Sequence, residues 1–321
     1  MYSRIQTAPD TALAWEQPNP VATDEVGIVV ADWDLQLVVP LWQGSGEPGI
    51  AEGAPRLAEM LAPTALRHVV KPDLGTLHAH PNDGAASLIE SHDAVEAHLV
   101  AASKKLRDLG PRSLLTLGGD CTVEVASVSH MASIHPDLRV VWIDAHADLN
   151  TPESSPSGHA HGMPLRTLFG EGHPRLVPST TLPPQRCALL GTRSMDPPEQ
   201  AFIAAHALPL LAPEQLQNEP NLLEQLLDRW LPKGAPLYVH LDLDVLDPTV
   251  WPAVAVPEPG GLDITTLVAV ITKLRNRGKL VGVGITEYVP GVDHDPSTLR
   301  PVLDALGIAV HGRENIEVRE G

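Results

Sequence analysis

Six short runs of apolar, largely β-branched residues punctuate the chain, at 26–31, 113–117, 139–143, 186–190, 237–241 and 279–285, with longer stretches of helical spacing between them. The runs are continuous rather than alternating, so the strands they form must be covered on both faces, which is the condition of a parallel sheet. Residues 87–109 carry apolar side chains at helical spacing and stop at Gly110-Pro111, and Asp263 stands where a cap would open a helix over 264–277, closed by Gly278. This alternation predicts an α/β fold of three layers, α/β/α, around a mostly parallel sheet, with ligands at the carboxyl ends of the strands. Glycine- and proline-rich stretches at 44–55, 151–164, 183–184 and 248–261 read as loops. No solenoid repeat or shift of composition divides the chain, so the expectation is one domain spanning 1–321.

Two of the strands run into acidic clusters. Val140-Val141-Trp142-Ile143 leads into Asp144-Ala145-His146-Ala147-Asp148. Alternate residues of a strand share a face, so Asp144 and His146 point the same way, and Asp148 follows as the chain leaves the sheet. About a hundred residues later the strand Leu237-Tyr238-Val239-His240-Leu241 leads into Asp242-Leu243-Asp244. Unpaired carboxylates at that spacing disfavour each other's ionisation, and a divalent cation is the natural compensation. A single Asp-x-Asp is more often a solvated turn. Two such clusters at the same end of parallel strands, one with a histidine, point to metal, and oxygen donors with a minority of imidazole suit Mn(II).

These motifs, together with Gly118-Gly119-Asp120-Cys121, His161-Gly162, Asp242-Leu-Asp244-Val-Leu-Asp247-Pro248 and Gly284-Ile-Thr-Glu287, stand in the order seen in the ureohydrolase family, which includes arginase, agmatinase and formimidoylglutamase. The segment Gly49-Ile-Ala-Glu-Gly53-Ala-Pro55 resembles the family's first loop. The resemblance implies an eight-stranded, mostly parallel sheet of the arginase/deacetylase-like kind and two bridged Mn(II) ions. Asp144 and Asp242 would bridge them, Asp148 would complete one site, and His146 and Asp244 the other. Two cations sharing a hydroxide lower its pKa enough to give a nucleophile at neutral pH, and that hydroxide would attack a guanidino-type carbon. By the same resemblance Asp148 takes the hydroxide's proton, His161 shuttles a proton to the departing amine, and Glu287 holds the guanidinium by charge-assisted hydrogen bonds.

The chain departs from the family at three places. The first metal ligand is normally a histidine directly after Gly-Gly-Asp, and here Cys121 stands there. Cys121 is then a neutral thiol beside a weakened first site, a ligand selecting Zn(II) or Fe(II), a sign of lost activity, or a small buried residue that only packs. Val289-Pro290 stands where an Asn-Pro step often follows the glutamate, and His159 replaces an asparagine. The loop 150–162 resembles the arginase version, in which Asn150 and Ser157 would contact an α-carboxylate, and Asp196 and Glu199 would recognise an α-ammonium. Polar turns with nothing bound remain the alternative for these four. The expected reaction is therefore arginine to ornithine plus urea. Alternatives are an agmatinase, a formimidoylglutamase or another guanidino-acid hydrolase, and, in a different class, an impaired family member serving as a binding or regulatory subunit.

The formal charge of −18, from 22 basic and 40 acidic residues, opposes a phosphate backbone and excludes nucleic acid as a natural partner. Two cysteines, Cys121 and Cys187, make no disulfide framework. The absence of a signal-like amino terminus and of a long apolar run gives the expectation of a cytoplasmic protein with no membrane partner, acting on a small molecule. A homo-oligomer, trimer or hexamer, is implied by the resemblance alone. His78, His80, His92 and His98 match no motif and are assigned to the surface.

Overall fold

A computed structural model describes residues 33–62, 66–74 and 88–311. Eight strands form one parallel sheet: β1 (Leu35–Val39), β2 (Arg67–Val69), β3 (Leu114–Gly118), β4 (Arg139–Ile143), β5 (Cys187–Leu190), β6 (Leu210–Leu211), β7 (Pro236–Asp242) and β8 (Lys279–Thr286), in the order β2-β1-β3-β8-β7-β4-β5-β6. Every neighbouring pair is parallel. The expected runs at 113–117, 139–143, 186–190, 237–241 and 279–285 coincide with strands to within a residue or so. The run at 26–31 lies outside the described residues.

Strand side chains alternate between two cores. Leu115, Leu117, Val141, Ile143, Val239 and Leu241 face one, packed against α1 (Gly53–Met60), α7 (Pro220–Trp230), α8 (Ile264–Arg277) and α9 (Arg300–Leu306). Leu114, Val140, Trp142 and Tyr238 face the other, packed against α2 (His92–Leu109), α3 (Glu124–Ile134), α4 (Pro164–Leu168) and α5 (Pro197–His206). The short α6 (Pro213–Asn218) joins the first core through Leu216. Each fully buried Leu, Ile or Val contributes about 1.5–3 kcal/mol, so two apolar faces on one sheet account for the continuous apolar runs. Asp263 opens α8 by accepting the Thr266 amide at 2.6 Å, and α2 ends on Gly110 in the left-handed conformation, φ 57°.

Two expectations need correction. His92 and His98 are buried, at 5% and 4% exposure, not on the surface: both lie on the inward stripe of α2 with Val95, Leu99, Ala102 and Leu106. His98 Nδ1 bonds the Ala94 carbonyl oxygen at 2.9 Å, and His92 Nε2 lies 3.0 Å from His173 Nδ1, so each ring satisfies a polar atom inside the core. His78 and His80 lie outside the described residues. The stretch 44–55 is not all loop either. It holds a 3-10 turn, Pro48–Glu52, and the first residues of α1, where Pro55 is accommodated in the first turn because no amide is needed there.

Candidate metal centre and active-site cavity

The four central strands, β3, β8, β7 and β4, deliver the polar side chains, and their register sets who meets whom. Ile143 pairs with Leu241, so the next residues, Asp144 and Asp242, leave the sheet side by side. Asp242 in turn pairs with Thr286, which places Glu287 one step beyond, and Leu117 pairs with Ile285, which brings Gly119-Asp120-Cys121 to the same end. Gly119 crosses Leu41 so closely that any Cβ would collide with the Leu41 backbone. Asp120, fully buried, accepts the amides of Gly44 and Thr122 at 2.8 and 3.0 Å, and turns the chain so that Cys121 faces inward.

Main-chain amides aim the carboxylates. Asp144 Oδ1 accepts the His146 amide at 2.6 Å, while its Oδ2 accepts Trp142 Nε1 at 3.0 Å. Asp242 Oδ1 accepts the Asp244 amide at 2.7 Å, and Asp244 Oδ1 accepts the Ala145 amide at 3.1 Å. His146 Nδ1 lies 2.9 Å from Asp244 Oδ2 and 3.6 Å from Asp144 Oδ1. Donor atoms of Asp144, His146 and Asp244 fall within 4.8 Å of one another, as do those of Cys121, Asp144, His240 and Asp242. At 4 Å and an effective dielectric of about 20, two carboxylates repel by about 4 kcal/mol. Burial, then the neighbouring aspartates, push Asp242 and Asp148 well above the usual carboxylate range. Burial works the same way on Asp144, but His146 and His240 outweigh it and hold that carboxyl low.

Asp148 and Glu287 each keep one buried carboxylate oxygen, Oδ2 and Oε2, with no hydrogen-bond partner. Both residues take the left-handed backbone conformation, φ 54° for Asp148 and 64° for Glu287, a strain of about 1–3 kcal/mol each that the surrounding structure has to offset. Both line a cavity of about 320 Å³ together with Cys121, His146, Asp242 and Asp244 at its floor and Asn150, Ser157, His161, Asp196 and Glu199 around its walls. Glu287 Oε1 accepts the Cys121 amide at 3.2 Å and meets His161 Nδ1 at 3.1 Å. Burial disfavours a charged His161, yet the Glu287 carboxylate prevails and raises it above the ordinary histidine range.

The sequence-named residues thus meet in one place, Asp144 just beneath the cavity and the others on its surface. On the walls, Asn150 Nδ2 donates to Asp196 Oδ2 at 2.9 Å, and Ser154 Oγ donates to Asn150 Oδ1 at 2.8 Å. Glu199 spends both oxygens on main-chain amides, of Leu149 at 2.9 Å and Asp196 at 2.8 Å, tying the acidic arm of β4 to the start of α5. Ser157 is exposed and accepts the His159 amide at 3.2 Å. Sequence reasoning passed over His240 and Glu124, both fully buried beside the cluster. The signal for His240 was available: it stands two residues before Asp242 on β7 and so shares its face.

The carboxylate and imidazole donors fit divalent cations, because the orphaned Asp148 oxygen and the crowded aspartates call for a positive partner. The arginase family model matches residues 26–306. The chain belongs to the arginase family. Among family relatives, the arginase of Staphylococcus aureus is 32% identical over 201 residues, 60% of this chain and 66% of that protein. The hepatic arginase of Aquarana catesbeiana is 33% identical over 189 residues, 56% of this chain and 58% of that protein. The chain therefore aligns with less than two thirds of the length of these arginase-family relatives. The crystal structure of Entamoeba histolytica arginase in complex with L-ornithine shares the fold, with a TM-score of 0.71 at 22% identity, over 85% of this chain and 96% of that one. Among the described residues no helix of this arginase-family chain is long and apolar enough to cross a membrane.

Proposed function

We propose that this chain is a ureohydrolase that cleaves a guanidino-type C–N bond with water, with arginine as first substrate and ornithine and urea as products. The observation that carries the reading is that two carboxylates lining the cavity, Asp148 and Glu287, each keep a buried oxygen without a hydrogen-bond partner. Asp144 and Asp242 would be shared by two cations, with Asp148 serving one and His146 and Asp244 the other; Mn(II) is the first choice for an oxygen-rich donor set. When bound, such ions supply Lewis acidity and lower the pKa of water at the site toward neutrality.

The protein's own groups do the rest. Glu287 Oε2 accepts N–H donors of a guanidinium, and its other oxygen is already pinned by the Cys121 amide, so the carboxylate does not swing to meet the substrate. Asp148 takes a proton from water. His161, which lines the cavity and is held through Nδ1 by Glu287, returns a proton to the departing amine. Asn150 and Ser157 would face an α-carboxylate, and Asp196 an α-ammonium, with Glu199 fixing the loop that carries it. The homo-oligomer and the cytoplasmic setting belong to the same proposal, on the strength of the family alone.

Urea release from arginine, agmatine and a panel of guanidino acids, with Mn(II), Zn(II) and Fe(II) supplied in parallel, tests this. Arginine is expected to give urea and ornithine; metal-loaded protein that releases urea from none of them would sink the hydrolase reading. The Cys121 substitution favours a second reading, a binding or regulatory subunit, which requires protein without metal and without turnover in the same assay.

A further inference from the structure

Behind the cavity floor lies a chain of buried polar groups that the proposed reaction does not use. His240, 0% exposed, stacks on Trp142 with ring centroids 3.6 Å apart. Its two nitrogens face opposite ways. Nε2 points into the acidic cluster, 3.5 Å from Asp144 Oδ2 and 3.7 Å from Cys121 Sγ, and Cys121 Sγ is itself 3.0 Å from Asp242 Oδ2. Nδ1 points away, 3.7 Å from Glu124 Oε1, at the first residue of α3. Glu124 is also 0% exposed, and neither of its oxygens has a hydrogen-bond partner. Room for this carboxylate exists because position 284 is glycine: a Cβ there would collide with it.

A glutamate and a histidine sunk together into an apolar core are costly unless each is paired and the far side of the histidine has a partner too. A histidine that holds a metal through one nitrogen typically gives its other N–H to a carboxylate, which fixes tautomer and ring orientation. Metal bonds of about 2.0–2.3 Å at tetrahedral or octahedral angles place donor atoms roughly 3 to 3.7 Å apart, and the separations around His240 Nε2 and Cys121 Sγ fall in that range. Where the family has a histidine directly after Gly-Gly-Asp, this chain has a cysteine, and an imidazole arrives at the same donor cluster from β7, two strands away from β3.

Resting on the ureohydrolase reading above, we propose that His240 Nε2 is a ligand of the first cation, in place of the histidine lost at position 121, with Glu124 as its positioning residue. The first site is then built from imidazole, thiol and carboxylate, and the second from carboxylate and one imidazole. The first site accordingly takes a borderline ion such as Co(II), Ni(II) or Zn(II) in preference to Mn(II).

The test is metal content, read by equilibrium dialysis and by the visible absorption of Co(II) added to metal-free full-length protein. Wild type is expected to hold two ions and His240→Ala one. Glu124→Gln is expected to hold two with the first bound about 10- to 100-fold more weakly. Cys121→His placed in the His240→Ala background is expected to recover the second ion. His240→Gln, closer in volume, carries the same expectation if the alanine variant unfolds, with circular dichroism and thermal melts of the metal-free proteins as the folding control. Two ions of unchanged affinity and spectrum in His240→Ala or His240→Gln would overturn the assignment and leave the hydrolase reading intact. Wild type that binds a single ion would overturn it as well, and wild type that binds none would remove both.

Discussion

Glu287 shows how much a single side chain is asked to do. One oxygen is fixed by the Cys121 amide and His161, the other is buried without a partner, and the backbone beneath is held in the left-handed region. A hydrogen bond to a charged group is worth about 1.5–3 kcal/mol, so Glu287→Gln is expected to lower kcat/KM for the guanidino substrate about 10- to 150-fold while the fold survives; unchanged kcat/KM would remove Glu287 from substrate binding. Asp247 serves the loop instead. It accepts the Thr249 hydroxyl and amide at 2.6 and 2.9 Å and the Gly260 amide at 2.8 Å, and these bonds, Thr249's first, lower its carboxyl to about 2. Because the folded value lies below the unfolded one, its stabilisation is complete above the ordinary value near 3.8 and is lost as pH falls through about 2. Asp247→Asn should therefore be less stable than wild type in chemical denaturation near neutrality, with the gap closing on acidification; a gap independent of pH would contradict this. The metal-directed residues were legible because Asp144, His146, Asp242 and Asp244 lie two apart at strand ends. His240, two residues before Asp242, could have been read on the same face, but its partners could not, because Glu124 and Cys121 come from elsewhere in the chain.

Among the elements, the strands that carry the site are also those the sequence spells most clearly. β4 and β7 are buried on both faces, so every position from Val140 to Ile143 and from Leu237 to Leu241 is buried, and the apolar runs are unbroken except by Tyr238 and His240. The peripheral strands escape the same reading for physical reasons. β2 at one edge is largely exposed, β6 at the other is two residues long, and β1 is interrupted by the buried Gln36. The histidines of α2 were misassigned because polarity was weighed above their place on the inward stripe. Helix α8 was readable from its cap alone, and the cap has a measurable share in it: Asp263→Ala is expected to cost about 0.5–2 kcal/mol in equilibrium unfolding. A variant as stable as wild type would mean that the Thr266 amide finds another partner without loss.

At the scale of the whole molecule, the sheet order brings four central strand ends together, and with them more negative charge than the surrounding protein neutralises. That surplus is what makes cation binding and folding a linked pair. An ion at 100 times its dissociation constant stabilises the native state by about 2.7 kcal/mol, so Mn(II) or Co(II) should raise the melting temperature by several degrees and a chelator should reverse it. Asp144→Asn combined with Asp242→Asn should abolish the shift; an equal shift in that double variant would locate the ions elsewhere. The most direct measurement is anomalous diffraction from crystals grown with Co(II) or Mn(II). Two peaks flanking the Asp144 and Asp242 carboxylates, within bonding distance of Asp148 on one side and of His146 and Asp244 on the other, are the expected result, and a map with no peak between the β4 and β7 tips would contradict the account.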